Sequence, residues 1–194
     1  MFCLKHHTFL IIFLILTLFN ISNKTLGQIE IESEEEYLET AKEYIDLAIE
    51  KNSNKLFKKA IKTYKEFLKV YPNSQKAIFA MQQIANLYSG NLRNYTESIN
   101  TYNELIIKYP DSKEARNAMF MIAFIYDNML AEKKNAITAY EKFLEKYPYD
   151  LSNDEEQYSS NARVMLEKLK SGKSDEEFIN DIIEKEDKKP IKKK

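Results

Sequence analysis

One stretch decides the fold: Tyr64-Lys-Glu-Phe-Leu-Lys-Val-Tyr71-Pro72-Asn-Ser74, which returns twice further along the chain. It recurs as Tyr102-Asn-Glu-Leu-Ile-Ile-Lys-Tyr109-Pro110-Asp-Ser112, and then as Tyr140-Glu-Lys-Phe-Leu-Glu-Lys-Tyr147-Pro148. The copies begin at positions 64, 102 and 140, so the step from each to the next is the same. Self-similarity at a fixed period is the signature of a repeat architecture. The sequence therefore predicts an array of stacked units.

Each unit is predicted to contain two helices. Before the first proline, apolar residues recur at helical spacing, from Phe57 through Ile61 and Tyr64. Pro72, Pro110 and Pro148 should end these helices, because proline lacks the amide donor and restricts the residue before it. Ser74 and Ser112 are predicted to cap the helices that follow. Short polar loops, at 89–94 and 128–134, are expected to end those helices.

Composition excludes much enzyme chemistry. The 194 residues contain three glycines, four prolines, one cysteine and two histidines. Low glycine and proline content favours an all-α protein. Cys3, His6 and His7 all precede residue 8, and no glycine-rich loop is present to hold a phosphate. We expect no catalytic residues, metal or cofactor. Adjacent acids at 34–36 and 155–156 leave a carboxylate-based hydrolase as a remote alternative.

Residues 1–27 have the pattern of a secretory signal. An apolar run spans 9–19, and Thr25-Leu26-Gly27 places small residues before a cleavage point at Gln28. Cleavage would remove two lysines and no acid, which changes the net charge from −1 to −3. That charge favours neither nucleic acid nor an anionic membrane as partner. We expect a periplasmic protein, with an uncleaved N-terminal anchor as the alternative.

The repeat resembles the tetratricopeptide repeat (TPR) family. The pattern of that family has a large residue, a Leu-Gly-like pair, an aromatic, an alanine, a second aromatic and a terminal proline, in units of about 34 residues. The first unit aligns with it without gaps at Tyr44, Leu47, Ala48, Lys51, Ala60, Tyr64, Phe67 and Pro72. It departs from the pattern where Ala48 replaces Gly, Lys51 replaces the first aromatic and Phe67 replaces a small residue. Later units need one extra residue in the inner loop and three after the proline. The resemblance implies a TPR α-solenoid of three helix pairs.

The resemblance also implies where a partner would bind. In TPR proteins the first helix of each repeat lines a concave groove that holds peptides. Carried over to this chain, the groove positions are Lys42, Ile45, Ile49 and Asn52; Phe79, Gln82, Asn86 and Ser89; and Asn117, Phe120, Phe124 and Asp127. We expect Phe120 and Phe124 to be exposed aromatic contacts for a peptide. The alternative is that they pack against the C-terminal helices.

The C-terminal part is expected to close the solenoid. Residues 158–169 are predicted to form a capping helix with a polar outer face. Ser174 and Glu177 form a capping-box pattern before a short helix that carries Phe178. Five lysines among residues 188–194 form a tail for which we expect a solvated end. The predicted organisation is a signal at 1–27, an N-terminal segment at 28–40, the solenoid with its cap at 41–171 and a helix with a lysine tail at 172–194.

The wide units with Tyr-Pro linkers resemble two groups of bacterial envelope TPR proteins, of the BamD and CpoB (YbgF) types. The resemblance implies a non-catalytic interaction scaffold for an envelope protein or peptide. The alternative it implies is an accessory subunit of outer-membrane assembly or of the Tol–Pal division machinery, bound through its ends or convex face. For either role we expect no small-molecule substrate and no nucleic acid. Weak association with the inner or outer membrane is consistent with both roles. The sequence leaves the oligomeric state open.

Overall fold

The computed structural model describes residues 33–150 and 157–187. Those residues form eight α-helices and no strand. In chain order they are α1 (Glu34–Glu50), α2 (Asn54–Val70), α3 (Ala77–Asn86), α4 (Tyr95–Lys108), α5 (Lys113–Phe124), α6 (Lys133–Lys146), α7 (Tyr158–Ser171) and α8 (Asp175–Asp187). The predicted signal, the lysine tail and the Glu155–Glu156 pair lie outside the described residues.

The helices pack as consecutive pairs. Helices α1 and α2 form the first repeat, α3 and α4 the second, and α5 and α6 the third, and each pair packs against the next. Helix α7 packs against α6 and α5 and covers the end of the third repeat. The predicted all-α solenoid of three helix pairs with a capping helix is confirmed.

The prolines end their helices as predicted. Helices α2, α4 and α6 stop at Val70, Lys108 and Lys146, two residues before each proline. The C-terminal ends of α4 and α6 also contact the preceding repeat. The ammonium of Lys108 donates to the carbonyl of Pro72 at 3.0 Å, and Lys146 donates to that of Pro110 at 2.7 Å. The same lysine contact therefore recurs at equivalent positions between successive repeats.

Only one of the two predicted serine caps is present. Ser112 caps α5, because its hydroxyl accepts from the amide of Ala115 at 3.0 Å. The prediction for Ser74 is wrong, since α3 begins three residues later. The Ser74 hydroxyl accepts instead from the amide of Lys76 at 3.1 Å and donates to Glu34 at 2.8 Å. It therefore joins the linker before α3 to the start of α1.

The inner loops of the second and third repeats are shorter than predicted. Helices α3 and α5 continue as single π-helical turns, Leu87–Asn91 and Ile125–Met129, into the expected polar loops. The amide of Leu130, for example, donates to the carbonyl of Ile125, five residues earlier, at 3.0 Å. A π turn inserts one residue into a helix. It thus accommodates the extra residue that these repeats carry relative to the family pattern.

The core follows the repeat pattern closely. Ala60, Ser98 and Ala136 occupy equivalent positions and are fully buried. The one polar member is satisfied, because the Ser98 hydroxyl donates to the carbonyl of Ala85 at 2.9 Å. The repeat tyrosines Tyr64, Tyr102 and Tyr140, which occupy equivalent positions, are also buried. Tyr88 and Tyr126 are only half-buried and lie at the edge of the core.

The outer face of α1 is acidic. Glu39, Glu43, Asp46 and Glu50 are exposed and share one side of the helix. The position of Glu43 corresponds to that of Ala80 in α3, which is fully buried. The position of Glu50 corresponds to that of Leu87, which is buried as well. Acids thus occupy positions that other repeats use for packing, which provides the polar face that a solenoid end needs.

Candidate protein-binding face

The structure places the twelve predicted groove residues on the first helix of each repeat or just after it, but it exposes them unequally. Exposed are Lys42, Ile49, Asn52, Phe79 and Asn86. Half-buried are Ile45, Gln82, Ser89, Asn117, Phe124 and Asp127, and Phe120 is buried. The accessible part of this face therefore belongs to the first two repeats. We call Lys42, Ile49, Phe79 and Asn86 the open groove.

Two apolar side chains of the open groove are accessible to a partner. Ile49 on α1 is 64% exposed, and Phe79 on α3 is 46% exposed. The Phe79 ring packs edge-on against the buried Tyr64 ring, with centroids 6.4 Å apart. The contact with Tyr64 thus fixes the Phe79 ring, while the other parts of that ring remain open to solvent. A fixed aromatic of this kind offers contact area at little cost in conformational entropy.

A buried tyrosine orients the polar side of the open groove. The Tyr102 hydroxyl on α4 donates to the side-chain oxygen of Asn86 at 2.6 Å. Burial, with a smaller effect from Tyr158, raises the pKa of Tyr102 to about 12, so its hydroxyl stays protonated and remains a donor. This hydrogen bond orients the Asn86 amide, whose NH₂ group can donate to a partner.

The expectation that Phe120 is exposed is wrong. Its ring lies among three others, with centroids 5.0 Å from Tyr158, 5.8 Å from Phe143 and 6.0 Å from Tyr140. Tyr158 belongs to the capping helix α7, so the packing alternative is the one observed. Phe124, one turn later, is half-buried against the same core cluster. Neither aromatic is part of the open groove.

The capping helix also uses other predicted groove residues. The amide NH₂ of Asn117 donates to the Tyr158 hydroxyl at 2.6 Å. Asp127 follows α5 in its π turn and lies near Lys168 of α7. Burial and the charge of Asp175 raise the pKa of Asp127 above its ordinary value of 3.8, against the opposing effects of Lys168 and the Tyr140 hydroxyl. The face of the third repeat is therefore covered by α7.

A buried arginine, which the sequence reasoning missed, fixes α7 in place. Arg116 is only 5% exposed. Its terminal nitrogen donates to the carbonyl of Tyr149 at 3.2 Å and to the hydroxyl of Ser159 at 3.1 Å, and lies 3.5 Å from Asp150. Its guanidinium also stacks over the Tyr147 ring at 5.5 Å. One cation thus joins α5, the linker and α7.

The same linker carboxylate caps α7. Asp150 accepts from the amides of Ser159 at 2.6 Å and Ser160 at 3.0 Å, and from the Ser160 hydroxyl at 2.6 Å. Burial alone would raise the pKa of Asp150, but these hydrogen bonds outweigh it and hold the pKa below its ordinary value of 3.8. Comparison of the repeats could have identified this cluster, because the charged Arg116 occupies the position at which the previous repeat has the apolar Ile78.

Two of the carboxylates considered for hydrolysis, Glu34 and Glu35, have structural partners. Glu34 accepts from Ser74, and Glu35 pairs with Lys76. Both contacts join α1 to the linker before α3. No group of His, Cys, Asp and Glu suited to hold a metal occurs among residues 33–150 and 157–187. Within those ranges no helix combines the length and apolar character needed to cross a membrane.

The family model for the tetratricopeptide repeat matches three segments, residues 39–74, 79–112 and 117–148, which together make up more than half of the chain. The chain belongs to the tetratricopeptide repeat family. Each matched segment coincides with one of the observed helix pairs. A comparison with curated proteins finds no significant match. TPR domains bind protein partners and are generally non-catalytic scaffolds, so this TPR protein is a protein–protein interaction scaffold.

Proposed function

We propose that the open groove of this TPR protein binds a peptide segment of an envelope protein. The observation that carries the proposal is the exposure of Ile49 and Phe79 on the first helices of neighbouring repeats. Lys42 and the amide NH₂ of Asn86 lie on the same face and can bond a backbone carbonyl or a carboxylate. Apolar anchors beside such donors are the usual composition of a peptide site.

The capping helix limits the length of this site. Because α7 covers Phe120 and bonds to Asn117, the partner has two repeats available. A short segment with one or two apolar anchors suits this surface, since few large side chains carry most of the energy in such contacts.

The envelope location rests on the pattern of residues 1–27, and the kind of partner rests on the resemblance to BamD-type and CpoB-type proteins. Outer-membrane assembly factors and proteins of the Tol–Pal division machinery are therefore the two partner groups we propose. Fractionation of native cells tests the location directly. Recovery of the chain in the cytoplasm would contradict it.

A matched pair of variants tests the groove. In the native host, tagged full-length protein is cross-linked and its partners are quantified after purification. We expect Ile49→Ser with Phe79→Ser to reduce the recovered partner about tenfold or more, because two apolar anchors that the partner would cover are lost. The control is Val70→Ser with Ile107→Ser, which removes two exposed apolar residues from the second helices. Equal recovery with both variants would refute the groove as the binding site.

A further inference from the structure

A second surface on α2 carries a regular row of positive charge. Lys58, Lys62, Lys65 and Lys69 are all exposed and follow the spacing i, i+4, i+7, i+11. That spacing places them on one side of the helix over about 16 Å. We call these four residues the lysine stripe.

The other repeats show that the solenoid does not require this charge. One repeat further on, the equivalent exposed positions hold Thr96, Asn100, Asn103 and Ile107, and in the last repeat they hold Lys134, Thr138, Glu141 and Glu145. The charge of the row therefore falls from +4 in the first repeat to 0 in the second and −1 in the third. Uncharged and acidic residues are solvated equally well at these positions in the second and third repeats. Solvation alone therefore does not explain why the first repeat has four lysines.

Little within the chain neutralises the stripe. The only acid on α2 is Glu66, which pairs with Lys62 at 3.5 Å. Lys65 donates to the Tyr88 hydroxyl at 3.1 Å, and its ammonium lies 5.4 Å from the centre of that ring. Among the described residues no carboxylate pairs with Lys58, Lys65 or Lys69. The stripe therefore presents mostly uncompensated charge to a partner.

A shallow cleft runs along the stripe. It has a volume of about 440 Å³ and is lined by all four stripe lysines with Glu66, Ile61 and Tyr88. Ile61 forms the buried floor, so the accessible apolar surface comes from the Tyr88 ring and the lysine side-chain stems, between α2 and the π turn that follows α3. A partner could thus pair its carboxylates with the lysines and place one apolar side chain in the cleft.

We propose that the lysine stripe and its cleft bind an acidic amphipathic helix of a partner protein. Carboxylates spaced i, i+4, i+7 and i+11 on such a helix match the stripe one to one. The stripe is one helix wide and its neighbour α4 is uncharged in this row, which suits a rod-shaped partner. An anionic membrane is a plane and would favour positive charge spread over several helices.

A second copy of the chain fits less well. The acids of α1, Glu39, Glu43, Asp46 and Glu50, have the same spacing as the stripe. However, the row itself contains no apolar side chain, and Ile49, the exposed apolar residue beside it, lies on the open groove. Exposed ion pairs alone contribute about 0.2–1 kcal/mol each, which is small against the cost of association.

The test uses the full chain and a labelled model peptide. The peptide is a helix of about 18 residues with Glu at i, i+4, i+7 and i+11 and Leu at i+8, and its control carries Gln for every Glu. Binding is measured by fluorescence anisotropy at about 20 mM salt, where screening is weak. We expect Lys62→Gln with Lys65→Gln to weaken binding of the acidic peptide about fivefold to tenfold.

Three controls make the result specific. Lys58→Gln with Lys69→Gln leaves the Tyr88 contact intact and should cause a similar loss. Lys134→Gln with Lys142→Gln removes the same charge from α6 and should change binding less than about twofold. The open-groove variant, Ile49→Ser with Phe79→Ser, should bind the acidic peptide normally, so that failure of one site is distinguishable from failure of the other.

Several outcomes would overturn the proposal. Equal affinity for the acidic and Gln peptides would remove the charge basis, as would unchanged binding by both stripe variants. Retention on phosphatidylglycerol vesicles that depends on Lys62 and Lys65, without peptide binding, would assign the stripe to a membrane. A salt-sensitive dimer in sedimentation that both stripe variants abolish would assign it to a second copy.

Discussion

Phe120→Ala should release the capping helix without disturbing the first repeat. Its ring is 9% exposed and contacts Tyr140 and Phe143 of α6 as well as Tyr158 of α7. Truncation of a buried phenylalanine to alanine costs about 3–5 kcal/mol. We take the lower value, about 3 kcal/mol, because the site lies at the end of the solenoid where α7 can partly collapse into the space.

Hydrogen exchange resolves where that energy is lost. Each repeat of a solenoid contacts only its neighbours, so destabilisation stays local. About 3 kcal/mol corresponds to about a hundredfold faster exchange through local opening. We expect that change for amides of residues 158–171, with α1 and α2 amides unaffected. Phe124→Ala is the matched control, and its effect should be smaller because that ring is half-buried.

Two results would refute this reasoning. Unchanged exchange in α7 would mean that the aromatic cluster does not hold the cap. Equal acceleration in α1 and α7 would mean that the chain unfolds as one unit, contrary to the behaviour of a solenoid whose units contact only neighbours.

Three further predictions concern stability. Arg116→Met should lower the free energy of unfolding in urea by about 2–3 kcal/mol, because it breaks a buried charged cluster, and an effect below about 1 kcal/mol would contradict that role. Ala131→Gly should raise stability by about 1 kcal/mol, since φ is +54° there, whereas Ala139→Gly within α6 should lower it by a similar amount. The pKa of Asp127 is raised in the folded state, so its ionised carboxylate costs stability as the pH rises above about 4. Asp127→Asn should therefore stabilise the protein more at pH about 7 than at pH about 3 in thermal unfolding, and a reversed order would contradict this.

Features encoded by local sequence were predictable. The prolines, the repeat tyrosines and the capping box act through residues close in the chain or through the constant period of the repeat. The capping box is an example: the amide of Glu177 donates to the Ser174 hydroxyl at 3.3 Å, and the Glu177 carboxylate accepts from the Ser174 amide at 2.9 Å. Such patterns need no knowledge of the tertiary structure.

Features that depend on distant contacts were not predictable in the same way. The sequence placed Phe120 on the groove side of its helix, but only the structure shows that Tyr158 covers that side. The π turns satisfy backbone groups that a sequence pattern does not identify. Arg116 is buried because Tyr149, Asp150 and Ser159 converge on it from the linker and α7.

The proposed groove is tested most directly by site-specific photo-cross-linking in native cells. Benzoylphenylalanine is placed at Phe79 in the open groove or, as a control, at Ile107, which is 80% exposed on α4. We expect a discrete cross-linked partner from position 79, lost in the Ile49→Ser variant, and none of that species from position 107. The same species from position 107 with none from position 79 would contradict a groove that binds its partner between the first two repeats.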